Sequence, residues 1–150
     1  MQWLCAAASL AGAAGIARRI GGGKAAAAGA AIFAATLPLG ILESTSTQTD
    51  YVVTLWLVAL VYFGLASLDQ WGWRLAVWQA VAAGLIMATK QTGVFFAAPF
   101  LLWQGIVLLR RVRLRAVGHM AAVGVLALAM GLPTLLRNRA TFGSFSGPQT

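Results

Sequence analysis

The sequence predicts an all-α fold: a polytopic bundle of transmembrane helices. Sixty per cent of its 150 residues are hydrophobic and only 9% are charged, whereas about a quarter of the residues in a soluble domain are charged. The apolar residues are gathered in about six segments that short polar gaps separate. A chain with so little polar surface suits lipid as its solvent, and in lipid a helix satisfies every backbone hydrogen bond within its own segment.

The predicted segments cover residues 3–17, 25–42, 51–68, 75–89, 92–109 and 116–136. A full span needs roughly 20 residues, with a range of about 17–25, so the first and fourth segments are short and the others suffice. Pro38, Pro99 and Pro133 lie inside apolar segments and are expected to bend them. Small residues spaced four apart, such as Ala8 and Gly12, are expected to let helices approach closely in lipid.

The basic residues predict an orientation through the positive-inside rule. If the segments alternate in direction, one side of the membrane carries most of the basic residues: Arg18, Arg19, Lys24, Arg74, Arg110, Arg111, Arg113 and Arg115. The opposite side carries only Lys90, Arg137 and Arg139. The first side is therefore predicted to be cytoplasmic, and the loops at 43–50, 90–91 and 137–150 are predicted to be extracytoplasmic.

The net charge of +8 does not indicate a nucleic-acid partner, because no basic face with interleaved aromatic residues is present to follow a phosphate backbone. Membrane lipids are the predicted partners of the basic residues between the apolar segments. A single cysteine, Cys5, excludes an internal disulfide and a cysteine-based metal site. The first segment enters from the predicted outer side without a basic leader. We therefore expect that Met1 is not the natural start and that the chain is an internal piece of a longer membrane protein.

The most polar stretch, on the predicted outer side, runs from Glu43 to Asp50 and contains two of the three acidic residues. Carboxylates at a membrane face can bind a divalent cation or accept a proton from a hydroxyl group. Asp50 and Glu43 are therefore candidate metal ligands, and a divalent cation is the candidate cofactor. The structural alternative is helix capping, because Thr49 and Asp50 open the third segment, where their oxygens can accept bonds from free amide groups.

Two further basic sites lie on the predicted outer side. Lys90, between two apolar segments, suits a phosphate or pyrophosphate headgroup, although a lysine there can also simply extend to the membrane interface. Arg137 and Arg139 lie on the predicted outer side and are therefore exceptions to the positive-inside rule. Their position indicates either an anionic partner or a solvated loop. His119, near the predicted cytoplasmic side, is more typical of a hydrogen-bonded structural residue than of a ligand.

Three motifs carry a family resemblance: Ser-Thr-Ser-Thr-Gln-Thr-Asp-Tyr at 44–51, Ala-Thr-Lys-Gln-Thr-Gly at 88–93 and Leu-Leu-Arg-Asn-Arg-Ala-Thr-Phe-Gly-Ser at 135–144. In their order and spacing they resemble the membrane core of GT-C glycosyltransferases, in particular bacterial family 39-type enzymes such as protein mannosyltransferases and aminoarabinose transferases. The resemblance implies a partial GT-C core in a bacterial plasma membrane. It also implies transfer of a sugar from a polyprenyl-phosphate carrier to an acceptor, of unknown identity, on the extracytoplasmic face.

The resemblance implies roles for particular residues. Asp50 matches an acidic residue beside the active site that supports catalysis by binding a divalent metal or positioning the acceptor. Lys90 matches the lysine of a turn near the lipid phosphate, although Gln91 stands where the family has glycine. Further substrate-binding candidates are Gln48, Arg137 and Asn138. The family's main catalytic carboxylate lies in an earlier outer loop that this sequence lacks, so the chain alone is expected to be inactive.

Two other function classes remain open. A transporter fragment would bind its substrate near the midplane through interrupted helices and buried ionisable groups. In this sequence the charged residues avoid the predicted membrane interior and polar residues gather on the outer side, which favours chemistry at the surface over passage through the bundle. The other alternative is a non-catalytic membrane scaffold, which would bind no polyprenyl phosphate.

Overall fold

The computed structural model describes residues 2–45, 49–70 and 72–145. Within these ranges all regular secondary structure is helical, which confirms the predicted all-α class. The helices are α1 (Gln2–Arg19), α2 (Lys24–Ala35), α3 (Pro38–Thr45), α4 (Asp50–Asp69), α5 (Trp73–Thr89), α6 (Gly93–Val112) and α7 (Leu114–Phe142).

Three helices in the described part of the chain are long and apolar enough to cross a membrane, namely α4, α6 and α7. Helix α5 is also apolar but has only 17 residues. The buried apolar core lies where α4, α5, α6 and α7 meet, and its members are Leu60, Ala82, Ala83, Ile86, Ala97 and Ala127. This arrangement agrees with a partial bundle of membrane helices.

The second predicted segment is not one straight helix. Helices α2 and α3 meet at an angle of 65°. Thr36 closes α2, because its backbone amide donates to the carbonyl oxygens of Ile32 and Phe33 and its hydroxyl donates to Phe33 O at 3.0 Å. Pro38 then starts α3, a position where the missing amide hydrogen costs nothing and the fixed φ suits a helix. Counted as one broken span, the pair becomes the fourth candidate crossing among the described residues.

The last helix extends further than predicted. The sequence indicated an apolar segment ending at residue 136 and a loop from Arg137, but α7 continues to Phe142. Arg137 and Asn138 keep their backbone hydrogen-bond donors, so the loss of hydrophobicity there does not interrupt the helix. The helix ends at Gly143, which has a left-handed φ of +69° that glycine adopts readily. The prediction of a loop at Arg137 was therefore wrong, and Arg137 and Asn138 lie in the last turns of α7.

Glycines allow two pairs of helices to approach closely. Where α1 packs on α4, a Cβ atom added to Gly12 would overlap Val58 Cγ1, and one added to Gly15 would lie 3.3 Å from the Tyr62 ring. Where α5 packs on α7, a Cβ atom added to Gly84 would lie 2.7 Å from Met130 Cβ. The small residues predicted to mediate helix approach in the first segment therefore do lie at a helix–helix contact.

Replacing Gly84 by alanine should destabilise the protein by about 1–3 kcal/mol, because the new methyl group would be forced against α7. The Met130 sulfur can move away, but its Cβ atom cannot unless the two helices separate. Gly124→Ala on α7 is the matched control, since no atom lies within 4 Å of the added Cβ and alanine favours a helix over glycine by up to about 1 kcal/mol. Thermal unfolding in detergent measures both variants, and equal losses of Tm would contradict the packing described.

Candidate active site

Ion pairs mark the two ends of the bundle. At one end Lys90 Nζ lies 2.5 Å from Asp50 Oδ1, which joins the end of α5 to the start of α4. At the other end Arg19 Nη1 lies 3.1 Å from Asp69 Oδ2, which joins the last turns of α1 and α4. We refer to these as the Asp50 end and the Asp69 end.

The contact between Asp50 and Lys90 unites two residues that the sequence singled out separately. They are 40 positions apart in the chain, and each lies at a helix terminus: Asp50 is the first residue of α4 and Lys90 directly follows α5. The Lys90 and Asp50 side chains are 44% and 33% exposed, and an ion pair at such a surface contributes at most about 1 kcal/mol to stability. The pair therefore contributes little to stability, and its main consequence is to place a carboxylate and an ammonium group side by side at the Asp50 end.

The capping alternative for Thr49 and Asp50 is only partly supported. Thr49 occupies the N-cap position of α4, but no side-chain hydrogen bond caps the helix there. Asp50 lies in the first turn, where a negative charge complements the helix dipole. Its carboxylate is directed to Lys90 rather than to a backbone amide of the first turn. The Asp50 side chain is thus placed for electrostatic contact across helices.

A cavity of about 480 Å³ adjoins the ion pair. Most of its wall is apolar, and both carboxylates of the predicted polar stretch lie on it; the lining residues are Leu37, Pro38, Leu39, Gly40, Glu43, Asp50, Tyr51 and Thr54. Glu43 comes from α3 and Asp50 from α4, so the bend between α2 and α3 brings the two carboxylates to a common space. An apolar cavity with charged groups at one edge suits a ligand that has an apolar chain and a charged head.

The metal site predicted at Asp50 and Glu43 finds little support in this arrangement. Within the described ranges, no three His, Cys, Asp or Glu side chains form a group that could hold a metal ion. The Lys90 ammonium already contacts Asp50 Oδ1, so a divalent cation would have to displace a positive charge. Since the donor set is incomplete and one donor is engaged, we derive no step through a metal, and the divalent cation stays a prediction.

The turn at Lys90 also contacts the chain that follows α7. Gln91 Nε2 donates to the Phe145 carbonyl oxygen at 2.6 Å, and Asn138 Nδ2 donates to the same oxygen at 3.4 Å. The Arg139 guanidinium lies 5.0 Å from the centre of the Phe145 ring, a cation–π distance. Gln91 therefore has a structural role in joining the two segments at the Asp50 end.

The other predicted substrate-binding residues do not share one environment. Asn138 is joined to the Lys90 turn through the Phe145 carbonyl oxygen, which accepts hydrogen bonds from both Asn138 and Gln91. Arg137 is exposed and forms no ion pair or hydrogen bond with another described residue. Gln48 lies outside the described residues. The structure thus places Asp50 and Glu43 on one cavity, with Lys90 in contact with Asp50, and leaves Arg137 without an evident role there.

Sequence reasoning missed a buried polar cluster between α4, α5, α6 and α7. The side-chain amides of Gln79 and Gln104 bond to each other in both directions, and Gln104 Nε2 also donates to Ser67 Oγ at 2.9 Å. His119 Nε2 lies 3.1 Å from Gln79 Oε1, in agreement with the structural role predicted for His119. These four side chains are at most 5% exposed. The signal in the sequence was two glutamines inside apolar segments, which a search for charged residues passes over.

A family profile described as dolichyl-phosphate-mannose-protein mannosyltransferase matches residues 1–136. No curated protein and no solved structure matches the chain. The matched range contains Asp50, Lys90 and Glu43, whereas Arg137 and Asn138 lie just beyond it.

Proposed function

Since the chain belongs to the dolichyl-phosphate-mannose-protein mannosyltransferase family, we propose that it is part of a membrane glycosyltransferase that uses a polyprenyl-phosphate-linked sugar. The glycosyltransferase class and a lipid-linked donor follow from the family. The polyprenyl carrier, an acceptor on the extracytoplasmic face and a bacterial plasma membrane are the further parts of the proposal. The positive-inside rule supports the Asp50 end as the extracytoplasmic one, because the arginine-rich turns lie at the Asp69 end.

The observation that carries this proposal is the Asp50–Lys90 pair at the edge of the apolar cavity. A polyprenyl phosphate has a long apolar chain and a compact anionic head, and the cavity offers an apolar wall beside an exposed ammonium group. Lysine provides three donors and a localised positive charge, which suits a phosphate oxygen. We therefore assign Lys90 to the donor phosphate and Asp50 to the positioning of Lys90.

The reaction then requires little of this part of the chain beyond charge stabilisation. The acceptor hydroxyl oxygen attacks the anomeric carbon of the sugar and loses its proton to a carboxylate, which the family resemblance places in an earlier outer loop. The bond from the anomeric carbon to the phosphate oxygen breaks, and its electron pair stays on the lipid phosphate. Lys90 stabilises the charge that develops on this leaving group, so its contact is stronger in the transition state than in the ground state.

Asp50→Asn should lower the kcat of sugar transfer by about tenfold or more, because the amide keeps the shape of the side chain but no longer holds the Lys90 ammonium in place. Asp50→Glu should recover part of the activity. A donor KM that changes less than kcat would distinguish positioning of Lys90 from simple loss of donor binding. The assay is transfer from a radiolabelled polyprenyl-phosphate sugar by the complete gene product in native membranes.

Asp69→Asn provides a matched control, because Asp69 is the last residue of the same helix and also forms an exposed ion pair, with Arg19. This variant should retain nearly normal transfer. Equal activity of the Asp50 and Asp69 variants, at equal amounts of folded protein, would refute the assignment of Asp50.

A further inference from the structure

An open groove separates α6 from α7 towards the Asp69 end of the bundle. It encloses about 400 Å³, and its lining is entirely apolar: Leu101, Leu102, Gly105, Ile106, Leu109, Ala116, Val117, Met120 and Ala121. Gly105 contributes no side chain to it, and a Cβ added there would be in van der Waals contact with Met120 Cε at 3.7 Å. The lining suits hydrocarbon because no hydrogen-bonding side chain contributes to it.

Three arginines lie in and beside the α6–α7 turn, close in sequence to residues that line this groove. Leu109 and Ala116 are the groove residues nearest to the α6–α7 turn, and Arg110, Arg113 and Arg115 lie between them in the sequence. All three arginines are exposed, and none forms an ion pair with another described residue. The turn next to the apolar groove thus carries three positive charges that have no ion-pair partner among the described residues.

Arg111 differs from these three arginines. Its Nη1 atom donates to the Leu68 carbonyl oxygen at 3.0 Å. This bond ties the end of α6 to the end of α4. Arg111 therefore has a structural role, and its guanidinium group is not counted with those of Arg110, Arg113 and Arg115.

Arg113 occupies a backbone conformation that favours glycine. Its φ is +51° and its ψ is −123°, which corresponds to the first central position of a type II′ turn. It is the one non-glycine residue with positive φ in the described part of the chain. An arginine in such a position carries a conformational cost of about 1–3 kcal/mol. The conformation serves the turn between α6 and α7, because the Arg113 amide donates to Leu109 O and its carbonyl oxygen accepts from Ala116 N. These are backbone contacts that glycine could also make, so they do not account for the arginine side chain.

We propose that this groove binds an anionic phospholipid, with an acyl chain between α6 and α7 and the headgroup phosphate at Arg110, Arg113 and Arg115. Guanidinium groups bind phosphate oxygens in a bidentate manner. A second copy of this chain is a poor alternative occupant, since the sequence has only three acidic residues. Two of these are already in ion pairs, and the third, Glu43, lies on the cavity at the Asp50 end. A zwitterionic lipid would fill the groove but would leave the arginines uncompensated.

This site is separate from the proposed donor site. It lies at the Asp69 end, whereas Asp50 and Lys90 lie at the opposite end of α4 and α5. The groove shares no lining residue with the cavity at Asp50. Lipid binding at the groove can therefore be present or absent whatever the outcome for sugar transfer.

Native mass spectrometry of the detergent-purified protein tests the proposal, with phosphatidylglycerol and phosphatidylcholine of identical acyl chains as probes. We expect phosphatidylglycerol to bind at least about tenfold more tightly, because each arginine near an anionic headgroup adds to the affinity. The triple variant Arg110→Gln, Arg113→Gln, Arg115→Gln should lose this preference. A control triple variant with the same charge change, Arg18→Gln, Lys24→Gln, Arg74→Gln, should keep it. Equal binding of the two lipids, or equal losses in both triple variants, would overturn the proposal.

Three single variants keep the test informative if the triple variant does not fold. Gly105→Leu should fill the groove and remove one bound lipid, whereas Gly118→Leu should not, since Gly118 lies outside the groove and its added Cβ meets no atom within 4 Å. Arg113→Gly should raise the Tm by relieving the turn and at the same time weaken phosphatidylglycerol binding. If Arg113→Gly left the lipid preference unchanged, or if both leucine variants bound lipid alike, the assignment would be wrong.

Discussion

Lys90→Gln is expected to reduce sugar transfer by about 100-fold or more in kcat, the effect that follows when one preorganised charge-stabilising group is removed from an active site. The glutamine keeps hydrogen-bonding capacity and similar length but lacks the positive charge that the departing phosphate needs. Its neighbour Asp50 would then stand alone beside the phosphate, and the unpaired negative charge would oppose the reaction further. The loss should therefore exceed that of Asp50→Asn.

The measurement is transfer of a radiolabelled sugar in native membranes, with the amount of folded variant determined by gel filtration in detergent. Lys24→Gln is the matched control, since it removes the same charge from the start of α2, away from the Asp50–Lys90 pair. Lys90→Arg should retain more activity than Lys90→Gln because the charge persists. Normal kcat in a well-folded Lys90→Gln protein would remove Lys90 from the proposed mechanism.

Gln104→Leu is expected to lower the free energy of unfolding by roughly 2 kcal/mol. Gln104 is fully buried and bonds to Gln79 in both directions, to Ser67 Oγ and to the Gly64 carbonyl oxygen. Side-chain hydrogen bonds in membrane proteins average about 0.6 kcal/mol each, and leaving the partners unsatisfied in an apolar interior adds to the cost. Helices α4, α5 and α6 all lose a shared polar contact in this variant.

Gln70→Leu is the control for this prediction, because Gln70 is exposed just after α4 and a surface substitution should change stability by no more than about 0.5 kcal/mol. The double variant Gln79→Leu, Gln104→Leu should lose less stability than the two single variants summed, since replacing both partners leaves fewer unpaired groups. Unfolding in detergent with increasing denaturant measures all four proteins. Strict additivity of the two single effects would contradict a shared hydrogen-bonded cluster.

Charge placement explains why part of the site could be predicted. A charged residue in an apolar chain is confined to the ends of the membrane segments, and this alone singled out Asp50, Lys90 and Glu43. The contact between Asp50 and Lys90 could not be predicted in this way, because it depends on how α4 and α5 pack. The buried Gln79–Gln104 contact was missed for a related reason: neutral polar residues do not interrupt an apolar segment, and their pairing becomes visible only in three dimensions.

Helix ends were predictable only where the hydrophobic boundary and the hydrogen-bonding boundary coincide. They differ at Pro38, where hydrophobicity continues to residue 42 but the backbone loses a donor and the chain bends by 65°. They also differ at Arg137, where hydrophobicity falls but the backbone continues to hydrogen-bond as far as the left-handed Gly143. Hydropathy indicates where the apolar segment ends, whereas a left-handed glycine such as Gly143 indicates where the helix ends. Proline alone does not mark a helix end here, because Pro99 and Pro133 lie inside α6 and α7.

Equilibrium binding of polyprenyl phosphate to the purified protein tests most directly whether the Asp50 end binds the phosphate of a polyprenyl carrier through Lys90. Polyprenol of equal chain length serves as the uncharged comparison. We predict that the phosphate binds at least about tenfold more tightly than the alcohol, in line with one charge-assisted contact. We also predict that Lys90→Gln abolishes this difference while Lys24→Gln preserves it. Equal binding of phosphate and alcohol, or a preference that survives in Lys90→Gln, would contradict the claim.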